Sequence, residues 1–276
     1  MTTGRSIDHI VLAVKDLDKA AAAYEALGFT LTPRAAHEDR MGTSNRLAQF
    51  ADKNFIEVLE VDRPDALAPH DFDQTPPFFS FGAQNLNSVD TRDGISMLVF
   101  AGNDARADCA AFAAAGVQSY APFDFDRQAK LPDGRSVTVS FSLAFATSPD
   151  MPAAAFFVCE NRAQEHFWKP AFQSHDNGAL GIRSVYLMSP DPQRDGAFVA
   201  KLFGGAVTAI EGGVSVSCGQ KQDVRIVSPD VITGLDPSFD SSPDVGPIFA
   251  GISIRGDKRP TVQSDVAFGI FIEWVE

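Results

Sequence analysis

Cysteine is scarce in this chain. Its 276 residues include three, Cys109, Cys159 and Cys218, which lie far apart in apolar segments and never in Cys-x-x-Cys spacing. That pattern argues against a disulfide framework or a zinc ribbon, and the thiols read as reduced and buried. Basic residues are also few, 23 against 36 acidic ones, for a formal charge of −13. No Lys/Arg stripe interleaves with aromatics, so nucleic acid is not an expected partner. No apolar run approaches the ~18 residues of a membrane helix, and Met-Thr-Thr-Gly-Arg-Ser lacks the charged-then-apolar pattern of a secretory signal. The expected setting is the cytoplasm, away from membranes. Gly102-Asn103-Asp104 and Gly204-Gly205 lack the context of phosphate loops, and no G-x-S-x-G elbow is present.

What the chain does have is phenylalanine, 23 residues of it, suited to wide sheets or a cavity lined by rings. It also repeats a pattern: strand, short helix with an Asx start, glycine stop, further strands. The first copy runs from the strand Ile7–Val14 into a helix capped by Asp16, with Leu17, Ala20, Ala21, Tyr24 and Leu27 on one face and a stop at Gly28. The second runs from Ile95–Ala101 through a helix begun at Asn103-Asp104 and stopped at Gly116. The third runs from Ile182–Met188 through a helix begun at Asp191-Pro192 and stopped at Gly204-Gly205.

Strand candidates follow each helix: 30–32, 45–51 and 54–61; then 120–125, 137–146 and 154–159; then 207–210, 214–218 and 224–227. Each unit reads βαβββ. A fourth, with strands at 248–254 and 268–275, keeps its outer strands and has lost its helix. The expected class is α+β: tandem βαβββ modules paired into two concave sheets with helices outside. The predicted divisions are a domain at 1–165 (modules 1–62 and 94–160), a linker at 166–177, and a degenerate domain at 178–276.

Strand alternation then sorts the faces. Ile10, Leu12 and Val14 should meet the helix, which sends Ile7, His9 and Val11 into the concavity. On the last strand of that module, Phe55, Glu57 and Leu59 should point the same way. On its neighbour the concave residues should be Asn45, Leu47 and Gln49, with Arg46 at the rim. Arg46 could grip a substrate carboxylate, or cover the helix flank bonded to Asp16 or Asp18. His9 and Glu57 are expected to converge as a metal-ligand pair, as a metal-free pair gripping a ligand, or as a structural pair.

The opening I-D-H-I-V-L-A-V-K-D-L-D, the helix end L-G-F and the strand F-I-E-V-L-E resemble the vicinal oxygen chelate superfamily, which includes glyoxalase I, ring-cleaving dioxygenases and bleomycin-binding proteins. More narrowly, Gly42-Thr43-Ser44-Asn45-Arg46-Leu47 and the stretch from Phe167-Trp168 to His175-Asp176-Asn177-Gly178-Ala179 resemble bacterial glyoxalase-like domain proteins. The resemblance implies glyoxalase/bleomycin-resistance-like sheets. It also implies a divalent metal (Zn, Ni, Mn or Fe) held by one residue from the first and one from the last strand of each module. His9 and Glu57 match in the first module. The second offers Ile95 or Ser96 and Phe157, so the inherited set is incomplete. In the second pair the matching places fall near Ser184, Arg225, Ala250 and Glu273.

Two functions follow as expectations. One is lyase or isomerase-type catalysis on a small oxygenated substrate in the N-terminal cleft. Glu57 and His9 would be the catalytic groups, and Asn45, Arg46, Leu47, Gln49, Phe55 and Phe157 would contact substrate. The other is a non-catalytic binder of a small molecule, with a degenerate metal site or no metal at all. The chain would act as a monomer or homodimer. His37 and His70 lie in polar loops and read as solvated histidines, with reach over the cleft as the alternative; His166 and His175 read as parts of a packed connector, with completion of the ligand set as the alternative. The segment 62–94 reads as a lid or a surface crossover.

Overall fold

A computed structural model describes residues 4–130, 136–241 and 246–276. The first strand, β1 (Ile7–Ala13), leads into α1 (Leu17–Ala26). Asp16 caps that helix by accepting the Lys19 N–H at 3.0 Å, and Leu17, Ala20, Ala21 and Tyr24 form its buried face. Gly28 ends the turn at φ +86, where a side chain would also meet Asn177 of the connector at 3.0 Å. The chain continues through β2 (Ala35–Ala36), β3 (Thr43–Gln49) and β4 (Phe55–Val61). The expected strand at 30–32 does not form; the edge pairing falls on Ala35 and Ala36 instead.

The long segment after β4 contains a helix that the strand pattern did not announce, α2 (Phe81–Thr91), capped by Ser80. Its Asn85 is fully buried and accepts the Ser96 hydroxyl at 2.6 Å, which docks the helix against the sheet. The second module follows as β5 (Gly94–Gly102), α3 (Ala105–Ala114), β6 (Gln118–Ser119), β7 (Phe123–Lys130), β8 (Ser136–Thr147) and β9 (Ala155–Asn161). The connector carries a short helix, α4 (Gln164–Phe167), and a 3-10 turn at Pro170–Phe172. The remaining elements are β10 (Gly181–Met188), α5 (Pro192–Phe203), β11 (Val207–Ile210), β12 (Gly213–Ser217), β13 (Asp223–Val227), α6 (Pro229–Leu235), β14 (Ile248–Arg255) and β15 (Phe271–Val275).

Strands β1 to β9 make one sheet in the order β2-β3-β4-β1-β5-β9-β8-β6, with β7 folded onto β8. β1 lies at its centre, parallel to β4 and antiparallel to β5, so the two modules join through β1 and β5. The second sheet runs β11-β12-β13-β10-β14-β15 and repeats this joint at β10 and β14. Between β14 and β15 the described residues contain no α-helix, as the polar composition of that stretch suggested.

The helix-side faces of both sheets share one apolar core that includes Leu12, Tyr24, Phe100, Phe156, Phe203 and Phe249. Each concave face has its own cluster. In the first, Val11, Phe55, Leu59, Val99 and Phe157 meet Phe81 from α2. In the second, Ile232 of α6 and Phe239 pack against Tyr186 and Phe271. One assignment from alternation changes: Ile7 belongs to the helix-side core. A register shift between Ile7 and His9 breaks the period of two there.

Candidate active site

The first concave face retains a cavity of about 290 Å³, bordered by Asp8, His9, His37, Asn45, Glu57 and Arg127 at its polar side. Its apolar walls include Phe55, Phe81, Phe125, Phe141, Phe157 and Trp168. A space of this size suits a molecule of roughly a dozen heavy atoms.

His9 is 5% exposed and sits between two carboxylates. Its Nδ1 lies 2.5 Å from Asp8 Oδ1, and its Nε2 lies 3.6 Å from Glu57 Oε2. The first distance is a short, charge-assisted hydrogen bond; the second is too long for one. The imidazole stacks on Phe55 at 4.2 Å between centroids and meets the edge of Phe157 at 5.6 Å. These rings leave it little rotational freedom. With Nδ1–H given to Asp8, Nε2 is the nitrogen free to exchange a proton in the gap toward Glu57.

Glu57 is buried to the same degree and is held on its other oxygen. Asn45 Nδ2 donates to Glu57 Oε1 at 2.6 Å and lies 3.2 Å from His37 Nε2. His37 Nδ1 is 2.8 Å from the Thr43 hydroxyl, and its Nε2 is 3.6 Å from Glu57 Oε1. Burial pushes the His37 pKa below its usual value against the pull of Glu57. A neutral ring that donates from Nδ1 and accepts at Nε2 satisfies the hydrogen bonds to Thr43 and Asn45. Both amide hydrogens of Asn45 are then used, and its buried Oδ1 has no partner. The loop holding His37 is tied down by Arg63, which donates to the carbonyls of His37 and Thr43 at 3.1 and 3.0 Å.

The donors do not form a metal cage. Among the described residues no three His, Cys, Asp or Glu side chains converge as ligands. The Asn45 amide nitrogen fills the place between His37 and Glu57. From the second module, Val99 and Phe157 face His9. Ser96, the residue with an oxygen to offer, turns to Asn85 and the Val11 carbonyl. Cys159 borders the cavity, yet burial and the neighbouring carboxylates hold its thiol well above the ordinary range, so it stays protonated.

Of the remaining residues read from the sequence, Leu47, Phe55 and Phe157 line the cavity. Gln49 turns to the connector instead, where it donates to the Phe167 carbonyl at 3.0 Å and accepts the Lys169 N–H at 3.2 Å. Arg46 lies on the other face of β3. It binds Glu25 of α1 at 2.6 Å and the Thr32 carbonyl at 2.9 Å, a helix-flank position with a partner other than Asp16 or Asp18. His175 bonds to Thr30 N and the Gln49 carbonyl, and His70 accepts from Ser80 N.

Among the polar residues at the cavity, Asp8 and Arg127 escaped the pattern analysis. Asp8 was hidden by the irregularity in β1. The His37 side chain is 7% exposed and borders the cavity, the reach over the cleft and not the solvated loop position. Arg127 had a signal in Phe123-Asp124-Phe125-Asp126-Arg127, whose alternation places an arginine on the apolar face of β7.

In the second sheet the polar residues at the corresponding places bind one another. Ser184 binds Asp223, Arg225 binds Asp223 and the Tyr186 hydroxyl, and that hydroxyl donates to Glu273 at 2.7 Å. This network closes on itself.

Paired βαβββ modules around a concave sheet, with helices mostly outside, give the chain a fold of the glyoxalase, vicinal-oxygen-chelate type. The family model described as "Glyoxalase-like domain" matches residues 7–203, and the chain belongs to that family. Among solved structures, a hypothetical protein from Staphylococcus aureus is similar over 98% of both chains, with a TM-score of 0.71 and 14% identity. A mutant 4-hydroxymandelate synthase from Streptomyces coelicolor is similar over 92% of this chain and 72% of its own, with a TM-score of 0.52 and 14% identity. An Mn(II)-bound glyoxalase from Novosphingobium aromaticivorans is similar over 93% of this chain and 68% of its own, with a TM-score of 0.50 and 16% identity. At such identities the likeness is one of fold. No curated protein matches the sequence significantly.

Proposed function

We propose that this chain is an enzyme that transfers protons on a small oxygenated molecule, as an isomerase or lyase-type catalyst, in the cavity of its first sheet. The observation that carries this reading is His9, bonded to Asp8 at 2.5 Å and separated from Glu57 by 3.6 Å. Asp8 selects the tautomer, and Nε2 takes a proton from a carbon or hydroxyl placed in the gap. Glu57 stabilises the imidazolium so formed, and Nε2–H returns the same proton at a neighbouring atom. Water is kept away by the aromatic walls, and no bond to carbon need be formed by the protein. A resident divalent ion is not part of the proposed steps, because Asn45 and Phe157 stand where further ligands would be needed.

A binding-only reading draws support from the aromatic lining, which suits sequestration of an apolar molecule. Proton exchange separates the two. Small carbonyl compounds and their hydroxy counterparts are incubated with the protein in deuterated water, and deuterium entry at carbon is followed by NMR. Catalysed exchange is expected, with His9→Gln slower by about 10²-fold or more. Ligands that bind without exchange under any condition would leave the protein a binder.

A further inference from the structure

Arg127 lies on β7, opposite Val139 of β8. Along this strand Phe123 is buried and Phe125 and Arg127 are half-buried, while Asp124 and Asp126 are exposed, so the guanidinium shares the inward face with two aromatic rings. It borders the same cavity as His9 and Glu57. Burial lowers its pKa and the charge of Glu57 opposes this, but the guanidinium remains fully charged. Among the described residues, no hydrogen bond or ion pair takes up its donors. Other arginines of the chain are engaged by contrast: Arg46 holds Glu25, Arg255 holds Asp52, and Arg225 holds Asp223. Glu57 itself does not close on Arg127, because one oxygen accepts from Asn45 and the other faces His9.

A half-buried guanidinium without an acceptor is costly unless something arrives to use it. Its planar fork fits a carboxylate through two parallel hydrogen bonds. The cavity is bordered by two acidic side chains, Asp8 and Glu57, and two basic ones, Arg127 and Lys53. Lys53 is drawn to the mouth, 5.2 Å from the Trp168 ring and bonded to Gln173. With Lys53 at the mouth, Arg127 is the cation of the inner wall that an anionic head can reach, and a monoanion meets about half the repulsion from Asp8 and Glu57 that a phosphate dianion would.

We infer that Arg127 is the anchor for a carboxylate, and that the ligand class is a small monocarboxylic acid with an aromatic or bulky apolar body. The acid head meets Arg127, the body lies among Phe55, Phe141, Phe157 and Trp168, and the atoms between them lie toward His9. This rests on the proton-transfer reading only for the ligand's chemistry after binding; recognition of the acid stands on the cavity itself.

The test uses matched pairs of acid and neutral amide: phenylacetate, hydrocinnamate and indoleacetate against their amides, with binding followed by calorimetry. In the wild-type protein at least one acid should bind about 10-fold or more tightly than its amide. Arg127→Gln should weaken that acid by about 10- to 100-fold and leave the amide within about 2-fold, with Arg127→Lys intermediate. Equal binding of acid and amide, an unchanged ratio in Arg127→Gln, or no binding by any of the acids would overturn the assignment. A thermal melt checks that each variant is folded, and Arg127→Lys supplies the answer if Arg127→Gln is not. His9→Gln separates the two ideas. It should leave the acid-to-amide ratio unchanged while slowing deuterium exchange by about 10²-fold or more. A ratio with no exchange in the wild type upholds Arg127 and removes the proton-transfer reading. Exchange without acid preference does the reverse.

Discussion

Asp8 and His9 are consecutive residues of one strand, yet their side chains are hydrogen-bonded at 2.5 Å. In a regular strand neighbouring side chains point to opposite faces. The contact exists because the pairing of β1 with β5 slips between Ile7 and His9, and such irregularities re-aim side chains beside functional sites. Asp8→Asn, whose carboxamide offers both donor and acceptor, should release the tautomer. The nitrogen chemical shifts of His9 are expected to change from one dominant Nδ1–H form to a mixture, and any exchange activity to fall by about 10²-fold. A single unchanged tautomer would show that Asp8 does not set it.

Asn45 supplies the hydrogen bond that makes the buried Glu57 tolerable. Replacing it by Asp places a second carboxylate about a hydrogen bond's length away. We expect Asn45→Asp to lose on the order of 2–4 kcal/mol at neutral pH and to regain part of it on acidification, as one of the two carboxyls protonates. Urea denaturation at two pH values measures both quantities.

His37, His70 and His175 share a direction: burial lowers each below the ordinary 6.5. As pH falls below that value the unfolded chain takes up protons that the folded chain refuses. Stability is therefore full above the unfolded pKa and is lost as pH falls through the folded values. The denaturation midpoint should drop between about pH 7 and about pH 5, and His175→Asn should make the decline shallower. An unchanged slope in that variant would assign the effect to the other two.

His9 and Glu57 alone offer two donors to a divalent ion. Zinc titration should show binding weaker than about micromolar, abolished in His9→Ala and lost on desalting. Stoichiometric metal that survives desalting and depends on Glu57 would call for a ligand set different from the one seen.

The two sheets are joined chiefly by apolar contact. Phe100 and Phe203 stack with centroids 3.7 Å and planes 17° apart, whereas Arg255 and Asp52 form a partly exposed bidentate pair. Phe203→Ala should cost about 3–5 kcal/mol, and Arg255→Met about 1 kcal/mol or less. Thermal or urea unfolding distinguishes them directly.

Local pattern determined much of this protein. The helix starts at Asp16, Asp104 and Asp191, the alternation in β4 that turns Phe55 and Glu57 inward, and the loss of the fourth helix were all legible, because capping and period-two burial are properties of a few adjacent residues. Tertiary structure alone decided the company of His9. The slip that brings Asp8 to it depends on how β1 pairs with β5, and the burial of His37 depends on Arg63 and on rings from α2 and β7. The inward turn of Arg127 becomes meaningful only once β7 folds over the concavity. Arg46 and Gln49 carried the same ambiguity in reverse, since polar side chains on one strand find partners on α1 and on the connector that no spacing within β3 encodes. The fold was written in near-neighbour chemistry; the site is made where segments distant in sequence meet.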